Sequence, residues 1–502
     1  MNILVINRNV DVAGQLRYQY VIGNPSHNGY MCKTYRQAVK LIKQHNIELI
    51  FVEQTDKRLV YLLNKYCKDN ELQYKISLYN VPKAFTMPTK WVSATTYIEN
   101  KLTTMLDTFQ AYTLRNIYKV PFHYLLLLCL KLFNIHIVQM ITHRFGHLAM
   151  NNYCWLVDNE NRKGTFIGLA DEPASEQIYK MLERTKFDTI IQNPKLKQML
   201  ANPIIQKSTN FESTNWYRGM DVPYWKMGGP EKVFYKWTED EEIRGQELLA
   251  SYGLSKDDWY ICFHNRDSKY LAEKHNYLSK EQWAYHDYRD CHIRNYVTAA
   301  QWINKHGGYA FRVGMAHDET LSNSDMMFDL TMANDDFANI YLLAHCKFLL
   351  GAGDGVAHIP TVFGKPIALA NYPILETITD LRKGDLCLVK LIWYEEEKRY
   401  LNMNEWTHSG VSRFMRSEEF TQRGLCTHEN TDEEILELCQ EMQAKLDGTW
   451  VEQEGDAELY ELYRSYIDQE HLWCQGCPGE IAMTFLRRHK VDLFPEKYIN
   501  TI

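Results

Sequence analysis

Short apolar runs alternate with amphipathic helical segments along most of the 502-residue chain, and this alternation constrains the fold more than any other feature. NILVINR, IELIFVEQ and YKISLYNVP have the pattern of strands near the start, and YICFHNRD, YAFRVGM, KFLLGAG and PIALANY have it further on. Strands that are separated by helices lie parallel, because each helix returns the chain to the same end of the sheet. The sequence therefore predicts an α/β protein with doubly wound parallel sheets.

The alternation is interrupted at positions that divide the chain into five predicted regions. These are a small Rossmann- or receiver-like α/β unit (1–80), a helical connector (81–135), a second α/β unit (136–235), a third (236–400) and a helical C-terminal tail (401–502). Polar residues follow several strands of the third unit. Because ligands of such sheets bind outside the carboxyl ends of the strands, we expect a ligand cleft between the second and third units.

Composition narrows the class of protein. Hydrophobic residues make up 45% of the chain and charged residues 24%, which is typical of globular proteins, and the net charge of −7 argues against a nucleic-acid partner. The twelve cysteines show no disulfide-like spacing, and the first residues have the pattern of a strand, so we expect a cytoplasmic protein with reduced thiols. Cys474 and Cys477 have metal-like spacing, but no second such pair exists, which favours free thiols.

One strongly apolar segment, Ile117 to Ile141, bears on the membrane question. It contains Lys119, Lys131 and several other polar residues, so it is a poor membrane-spanning segment. We predict a buried core helix that runs into a strand. The alternative is a helix at the membrane surface whose lysines reach the lipid headgroups.

The stretch GAGDGVAHIPTVFGKPIALAN, residues 351–371, follows an apolar strand. It predicts a tight turn from Gly351 to Gly355, a short helix and another strand. Glycines let a ligand approach the backbone, and a helix start offers free N–H groups to an anion. The stretch is not a Walker A loop, since a proline follows Gly364 and Lys365 where that motif has Ser or Thr. The alternative is an ordinary connection without a ligand.

Charged clusters mark the other predicted strand ends. His264-Asn-Arg-Asp267 follows one strand; Arg266 could grip phosphate, and the flanking His and Asp could orient a sugar or take a proton. Arg312 ends another strand, and Arg294 opens a helix after a charge-dense loop. The alternatives are a solvated strand end with a local Arg–Asp pair and a polar loop.

Taken in order, the segments RFGHLAMN, NPKLKQML, FHNRDSKY, YRDCHIRNY, GGYAFRVGM and FLLGAGDGVAHIPTVFGKPIALANY resemble a family of glycosyltransferases from bacterial surface-polysaccharide loci. The resemblance covers roughly residues 137–500. Phe145 stands where the family usually has Ile, and Asp354 where Ser is common. More distantly, the same motifs are similar to GT-B fucosyltransferases and to heptosyltransferases.

The resemblance implies a GT-B-like pair of Rossmann-like domains that face each other across a cleft. It also implies an inverting transfer of a sugar to a glycan or lipid-linked acceptor. The donor expected from the resemblance is a GDP- or UDP-sugar rather than a CMP-sugar. We expect no cofactor and no metal, since no Asp-x-Asp motif occurs in the chain. A cytoplasmic location is expected, and peripheral contact with the inner membrane is left open.

The resemblance also implies roles for particular residues. The donor and its phosphates would contact Arg266, Arg312, Gly353, Asp354, Gly355 and Arg294, and the acceptor would enter near Arg144 and Gly146. The catalytic candidates are His147, Asp267 and His264, with His147 as base or, alternatively, as a helix-start residue that only packs. The rival functions are a sugar-nucleotide epimerase or hydrolase on the same fold, and a non-catalytic sugar-nucleotide binder or scaffold.

Overall fold

The computed structural model describes residues 2–6, 28–32, 47–53, 75–79, 120–200, 203–206, 208–214, 232–269, 284–314, 319–333, 335–372, 381–411, 414, 416–466 and 479–494. The helices predicted within 1–80, most of the 81–135 connector and the Cys474–Cys477 pair lie outside the described residues. The chain divides into two compact units: Met1–Ile117 with Asn404–Arg413 and Tyr466–Gln475, and Tyr118–Met403 with Phe414–Ser465 and Gly476–Ile502.

The first unit contains a four-stranded parallel sheet. Its strands are β1 (Asn2–Ile6), β2 (Asn28–Cys32), β3 (Ile47–Glu53) and β4 (Lys75–Tyr79), in the order β2-β1-β3-β4. The three strands predicted in this region are confirmed. β2 was not predicted, because its sequence NGYMC is short and begins with residues that disfavour strands.

The second unit begins with another parallel sheet. Its elements are α1 (Val120–Leu132), β5 (Ile135–Gln139), α2 (Phe145–Asp158), β6 (Thr165–Leu169), α3 (Glu176–Glu183), β7 (Thr189–Ile191), α4 (Pro194–Leu200), α5 (Pro203–Gln206) and β8 (Phe211–Ser213). The strand order is β7-β6-β5-β8. Because the chain runs outward from β5 to β7 and then returns to β8, the topological switch point lies between β5 and β8.

The apolar segment around α1 is a helix followed by a strand, as predicted, but the helix is not fully buried. Leu130 packs in a core cluster with Ile137 and Leu169, whereas Leu125 and Leu128 on α1 are more than half exposed. The prediction of a buried core helix is therefore wrong for one side of α1. Among the helices in the described parts of the chain, none combines the length and apolar character needed to cross a bilayer.

A seven-stranded parallel sheet forms the centre of the second unit. Its elements are α6 (Glu239–Ser251), β9 (Tyr260–Phe263), a 3₁₀ turn (Ala284–Arg289), α7 (Arg294–Lys305), β10 (Tyr309–Arg312), β11 (Met327–Asp329), α8 (Asp336–His345), β12 (Leu349–Ala352), α9 (His358–Val362), β13 (Ile367–Tyr372) and β14 (Leu386–Val389). Every residue of β9, β12 and β13 is buried, as expected for parallel strands covered on both faces.

The remaining elements complete this sheet and add a small one. They are β15 (Leu391–Tyr394), β16 (Arg399–Tyr400), α10 (Met403–His408), α11 (Ser417–Thr421), β17 (Leu425–His428), α12 (Asp432–Leu446), α13 (Asp456–Tyr466), β18 (Glu480–Ile481), α14 (Met483–Arg488) and α15 (Lys490–Leu493). The large sheet has the order β11-β10-β9-β12-β13-β14-β18.

Helices and strands share the region that was predicted to be a helical tail. Its two long helices are confirmed as α12 and α13, and α12 begins with a capping box between Thr431 and Glu434. Two strands of this region were not predicted: β17, which joins β15 and β16 in a small antiparallel sheet of order β16-β15-β17, and β18, which returns to the large sheet. The prediction of an α/β fold with a Rossmann-like pair of parallel sheets is confirmed.

Candidate functional site

The candidate site lies at a switch point of the large sheet. β9 and β12 are neighbours, and the chain runs outward from them in opposite directions, to β10 and β11 on one side and to β13 and β14 on the other. Ligands of open α/β sheets bind in the crevice at such a point. His264 follows β9 and the Gly353–Gly355 turn follows β12, so the two predicted motifs meet there.

An ion pair joins the ends of these two strands. His264 Nε2 lies 2.6 Å from Asp354 Oδ2, and His264 Nδ1 lies 3.1 Å from the carbonyl oxygen of Val313. Both ring nitrogens thus face an oxygen acceptor, which the imidazolium form satisfies with two N–H donors. His264 therefore holds the turn after β12 against the end of β9. The catalytic role predicted for His264 stays a prediction.

Asp354 is held as a carboxylate. Burial alone would raise its pKa, but the charge and hydrogen bond of His264, the N–H of Val356 and the charge of Arg266 outweigh burial and lower the pKa to about 2. The Val356 N–H donates to Asp354 Oδ1 at 2.9 Å. One N–H at the start of the helix therefore serves the chain's own carboxylate, and the anion site predicted at this helix start stays a prediction.

Two arginines approach this turn from one side. Arg266, of which 8% is exposed, contacts the Asp290 carboxylate, and its Nη1 lies 3.4 Å from the carbonyl oxygen of His286. Arg289 Nη2 donates to the carbonyl of Gly353 at 2.5 Å. Burial and the charge of Arg289 lower the pKa of Arg266 to about 10, although the charge of Asp354 opposes that change. Arg266 therefore stays cationic at neutral pH.

Two glycines bring the two parallel sheets of this unit into contact. A Cβ atom built on Gly146, at the start of α2, would lie 2.6 Å from the Cα of Gly355 and 2.8 Å from Nδ1 of His358. A Cβ on Gly355 would lie 3.0 Å from the Gly146 nitrogen, and one on Gly353 would lie 2.9 Å from the Tyr372 ring. Protein contacts therefore already require glycine at these positions. The start of α2, which follows β5 at the switch point of the smaller sheet, thus contacts the turn after β12.

A chain of hydrogen bonds orients His147 in the first turn of α2. Asn151 Nδ2 donates to the carbonyl of Thr214 at 3.0 Å, which turns the Asn151 Oδ1 atom toward His147. His147 Nδ1 lies 3.0 Å from that oxygen. Because an amide oxygen only accepts, Nδ1 carries the hydrogen and Nε2 carries the lone pair of the neutral ring. This is the tautomer that a base at Nε2 requires.

The other predicted site residues lie in different surroundings. Asp267 Oδ1 accepts a hydrogen bond from the Lys269 N–H at 3.1 Å. Arg312 is fully buried, 2.8 Å from Asp329 Oδ2, and Arg294 is mostly exposed beside Glu319. The donor roles of Arg312 and Arg294 stay predictions. Arg144 precedes α2 and is half-buried two residues before Gly146.

Sequence reasoning missed Arg289 and Asn151. Arg289 belongs to the charge-dense segment 286–295, but nothing in its spacing showed that it would reach Gly353. Asn151 lies four residues after His147, one helical turn away, which is a detectable signal for a side-chain pair. Within the described residues, no group of three His, Cys, Asp or Glu side chains is arranged to hold a metal ion.

Comparison with known proteins finds solved structures that match this chain at low identity and with low TM-scores. No protein-family model matches the sequence, and no curated protein matches it. A glycosyl transferase family 9 structure from Veillonella parvula is 10% identical, with a TM-score of 0.39, over 62% of this chain and 97% of that chain. Escherichia coli ADP-heptose LPS heptosyltransferase II is 11% identical, with a TM-score of 0.32, over 47% and 84%. Escherichia coli heptosyltransferase WaaC with ADP is 10% identical, with a TM-score of 0.26, over 51% and 91%.

Proposed function

We propose that this protein is a glycosyltransferase that moves a sugar from a nucleotide-activated donor to a glycan or lipid-linked acceptor. The observation that carries the proposal is that Arg289 binds the Gly353–Gly355 turn at a switch point of a parallel sheet, and that the charge of Arg266 acts on Asp354 in the same turn. Guanidinium groups match phosphate oxygens in geometry and charge. A nucleoside diphosphate fits such a site, and the large sheet would hold it.

The arrangement also suits the departure of a diphosphate. Negative charge grows on the leaving group as the glycosidic bond to it breaks, and fixed positive groups stabilise that charge. Arg266 is held by Asp290 and Arg289 by Gly353, so neither needs to reorganise when the donor binds. In this proposal His264 positions Asp354, and the Asp354 carboxylate holds the start of α9.

His147 is the proposed base. It lies in the first turn of α2, next to Gly146, which contacts Gly355 in the turn after β12. The hydrogen bond to Asn151 leaves the lone pair on Nε2, the atom that would take the acceptor hydroxyl's proton. Asp267, next to Arg266 in sequence, is the competing candidate. The inverting outcome belongs to this proposal and follows from a base opposite the leaving group.

The finer features rest on the resemblance of the motifs. We propose synthesis of a bacterial surface polysaccharide in the cytoplasm, with a GDP- or UDP-sugar as donor. Peripheral contact with the inner membrane surface belongs to the same proposal. No metal is assigned to the reaction.

Product analysis tests the proposal. The protein is incubated with each nucleotide-sugar and a mixture of glycan and lipid-linked acceptors, and the products are separated by mass spectrometry. The proposal expects an acceptor that has gained one sugar, together with the nucleoside diphosphate. Free sugar without an extended acceptor would indicate a hydrolase, an isomerised donor an epimerase, and an unchanged donor a binding protein. Each of these three results would overturn the proposed transfer.

Replacing Arg266 by lysine should weaken donor binding by about tenfold or more, on the order of 1.5–3 kcal/mol for a charge-assisted contact. Lysine keeps the charge but loses the planar fork that contacts two oxygens at once. Calorimetric titration of the nucleoside diphosphate measures this change. Arg399→Gln, in β16 of the small antiparallel sheet, is the control and should bind as the wild type does. Equal affinity in Arg266→Lys and wild type would remove Arg266 from the donor site.

Transfer should survive removal of divalent ions. Arg266 and Arg289 supply two positive charges beside the Gly353–Gly355 turn, and these can neutralise a diphosphate in place of a metal ion. The test compares initial rates in EDTA with rates in added Mg²⁺ or Mn²⁺, and we expect them to agree within about twofold, well under 1 kcal/mol in the barrier. Complete loss in EDTA that either ion restores would contradict this expectation.

A further inference from the structure

The outer face of α1 carries a contiguous group of exposed apolar side chains. Four of them recur every three or four positions, which places them on one side of the helix. All members of the group, which we call the α1 stripe, are more than half exposed; they are Phe122, Tyr124, Leu125, Leu128, Leu132 and Phe133. Exposed apolar residues are ordinary when they stand singly, whereas a contiguous group marks an interaction surface.

The inner face of α1 packs on the smaller sheet, and the turn after the helix sets its direction. Leu130 belongs to the core cluster that contains Ile137 of β5 and Leu169 of β6. Two residues link α1 to β5, and the second of them, Asn134, has a left-handed φ of 51°. The chain reverses there, so α1 runs antiparallel to β5 and starts near the carboxyl end of that strand. This is the edge of the sheet from which the chain continues into α2.

Acidic residues are absent from the sequence around the α1 stripe. Residues 108–157 contain no Asp or Glu, although the chain has 63 such residues in all. The neighbouring helix α4 packs on the same core cluster through Leu196 and Leu200, and residues 189–211 around it also contain no Asp or Glu. Both helices carry an exposed lysine, Lys131 on α1 and Lys195 on α4. The stripe is therefore accompanied by positive charge in a chain whose net charge is −7.

This combination favours a lipid surface over a second copy of the protein. A symmetric dimer would place the same patch of both copies together, so the lysines of the two copies would repel each other. Anionic headgroups instead attract the lysines, and the acyl chains beneath them cover the apolar side chains. Helices with aromatic and leucine side chains on one face and lysines beside them lie in the plane of the bilayer surface.

We propose that the α1 stripe binds the surface of an anionic phospholipid bilayer. The inference rests on the proposed function, because it names the surface through which that function contacts the inner membrane. α1 starts at the edge of the smaller sheet where α2, with His147, begins. Docking of α1 therefore brings the bilayer to the side of the sheet that carries the proposed base, and a lipid-linked acceptor reaches it from the membrane.

Co-sedimentation with vesicles tests the docking in the absence of donor and acceptor. One set of vesicles contains phosphatidylglycerol in phosphatidylcholine, and the other contains phosphatidylcholine alone. We expect the wild type to bind the anionic vesicles about tenfold or more tightly than the neutral ones. The combined variant Leu125→Ser, Leu128→Ser, Leu132→Ser should bind the anionic vesicles about tenfold or more weakly than the wild type. Lys131→Glu should weaken binding to the anionic vesicles and leave binding to the neutral ones unchanged.

The controls change equally exposed residues elsewhere in the described part of the chain. The combined variant Met332→Ser, Val451→Ser, Val491→Ser removes three apolar side chains that are each about three-quarters exposed. Lys256→Glu reverses an exposed charge between α6 and β9. Both controls should bind vesicles as the wild type does. The leucine variant should keep the melting temperature of the wild type and its affinity for GDP or UDP, which shows that the fold and the donor site are intact.

Three results would each overturn the inference. One is a wild type that stays in solution with both kinds of vesicle, and another is unchanged vesicle binding in the leucine variant. The third is a wild-type dimer, measured by light scattering, that binds no vesicle and that the leucine substitutions convert to monomers, since a second copy would then cover the stripe. Failure of the proposed transfer gives a different result. Vesicle binding would then persist in a protein that transfers no sugar, whereas failure of the docking alone leaves transfer to a water-soluble glycan intact.

Discussion

Replacing His147 by glutamine or alanine should lower the transfer rate by roughly a hundredfold or more, while donor binding stays within a few-fold. The reason is that the acceptor hydroxyl would lose the group that takes its proton.

Asn151→Leu removes the hydrogen bond that fixes the tautomer of His147. We expect it to lower the transfer rate less than loss of His147 does, with the donor affinity unchanged. Steady-state kinetics and calorimetric titration of the donor separate the two effects.

The matched control is His143→Gln. His143 lies in the same loop before α2, but its side chain is about half exposed and lies 3.6 Å from Asp171. The His143→Gln variant should transfer the sugar at the wild-type rate. Near-normal turnover in both His147 variants would rule out His147 as the base and turn attention to Asp267. His286 is then a weaker choice, since a pKa of about 3 makes it a poor base at neutral pH.

Gly146→Ala should disrupt the contact between the two sheets and lower transfer by at least tenfold. The added Cβ would lie 2.6 Å from a backbone atom of Gly355, a distance that requires the backbone to move. Overpacking of this kind typically costs about 1–3 kcal/mol. Alanine in a helix is otherwise more favourable than glycine by roughly 0.5–1 kcal/mol, so a fall in stability would show that the contact outweighs helix propensity. Thermal unfolding and initial rates are the measurements.

Gly351→Ala is the control for that substitution. Gly351 belongs to the glycine-rich stretch 351–355, and the atoms nearest to a Cβ built there belong to the Leu349 side chain, at 3.3 Å or more. We expect it to change stability less than Gly146→Ala. A melting temperature and rate equal to wild type in Gly146→Ala would show that this backbone contact is not required.

The sequence predicted the parts of the site that local pattern determines. Apolar strands that end in polar residues placed His264, Arg266 and the Gly353–Gly355 turn at one edge of the sheet, and the structure joins them through His264 and Asp354. That success follows from a general rule, because the carboxyl ends of parallel strands lie at the same edge. The roles of these residues stay proposals.

The parts that depend on long-range contacts could not be predicted. The glycines at 353 and 355 were interpreted as room for a ligand, whereas they face Tyr372 and Gly146, and a contact between residues 146 and 355 leaves no local pattern. The small antiparallel sheet was missed because β15 and β16 are short and separated by a run of charged residues, EEEK.

A thermal-shift panel of ADP-, CMP-, GDP-, UDP- and dTDP-sugars shows directly whether the folded protein binds a nucleotide-sugar. A ligand present at about 100 times its dissociation constant stabilises the folded state by about 2.7 kcal/mol, which is a shift of several degrees at most in a chain of this size. We expect at least one GDP- or UDP-sugar to raise the melting temperature of the wild type. The same sugar at the same concentration should raise the melting temperature of Arg266→Lys much less. A panel in which no nucleotide-sugar shifts the wild type would contradict this expectation.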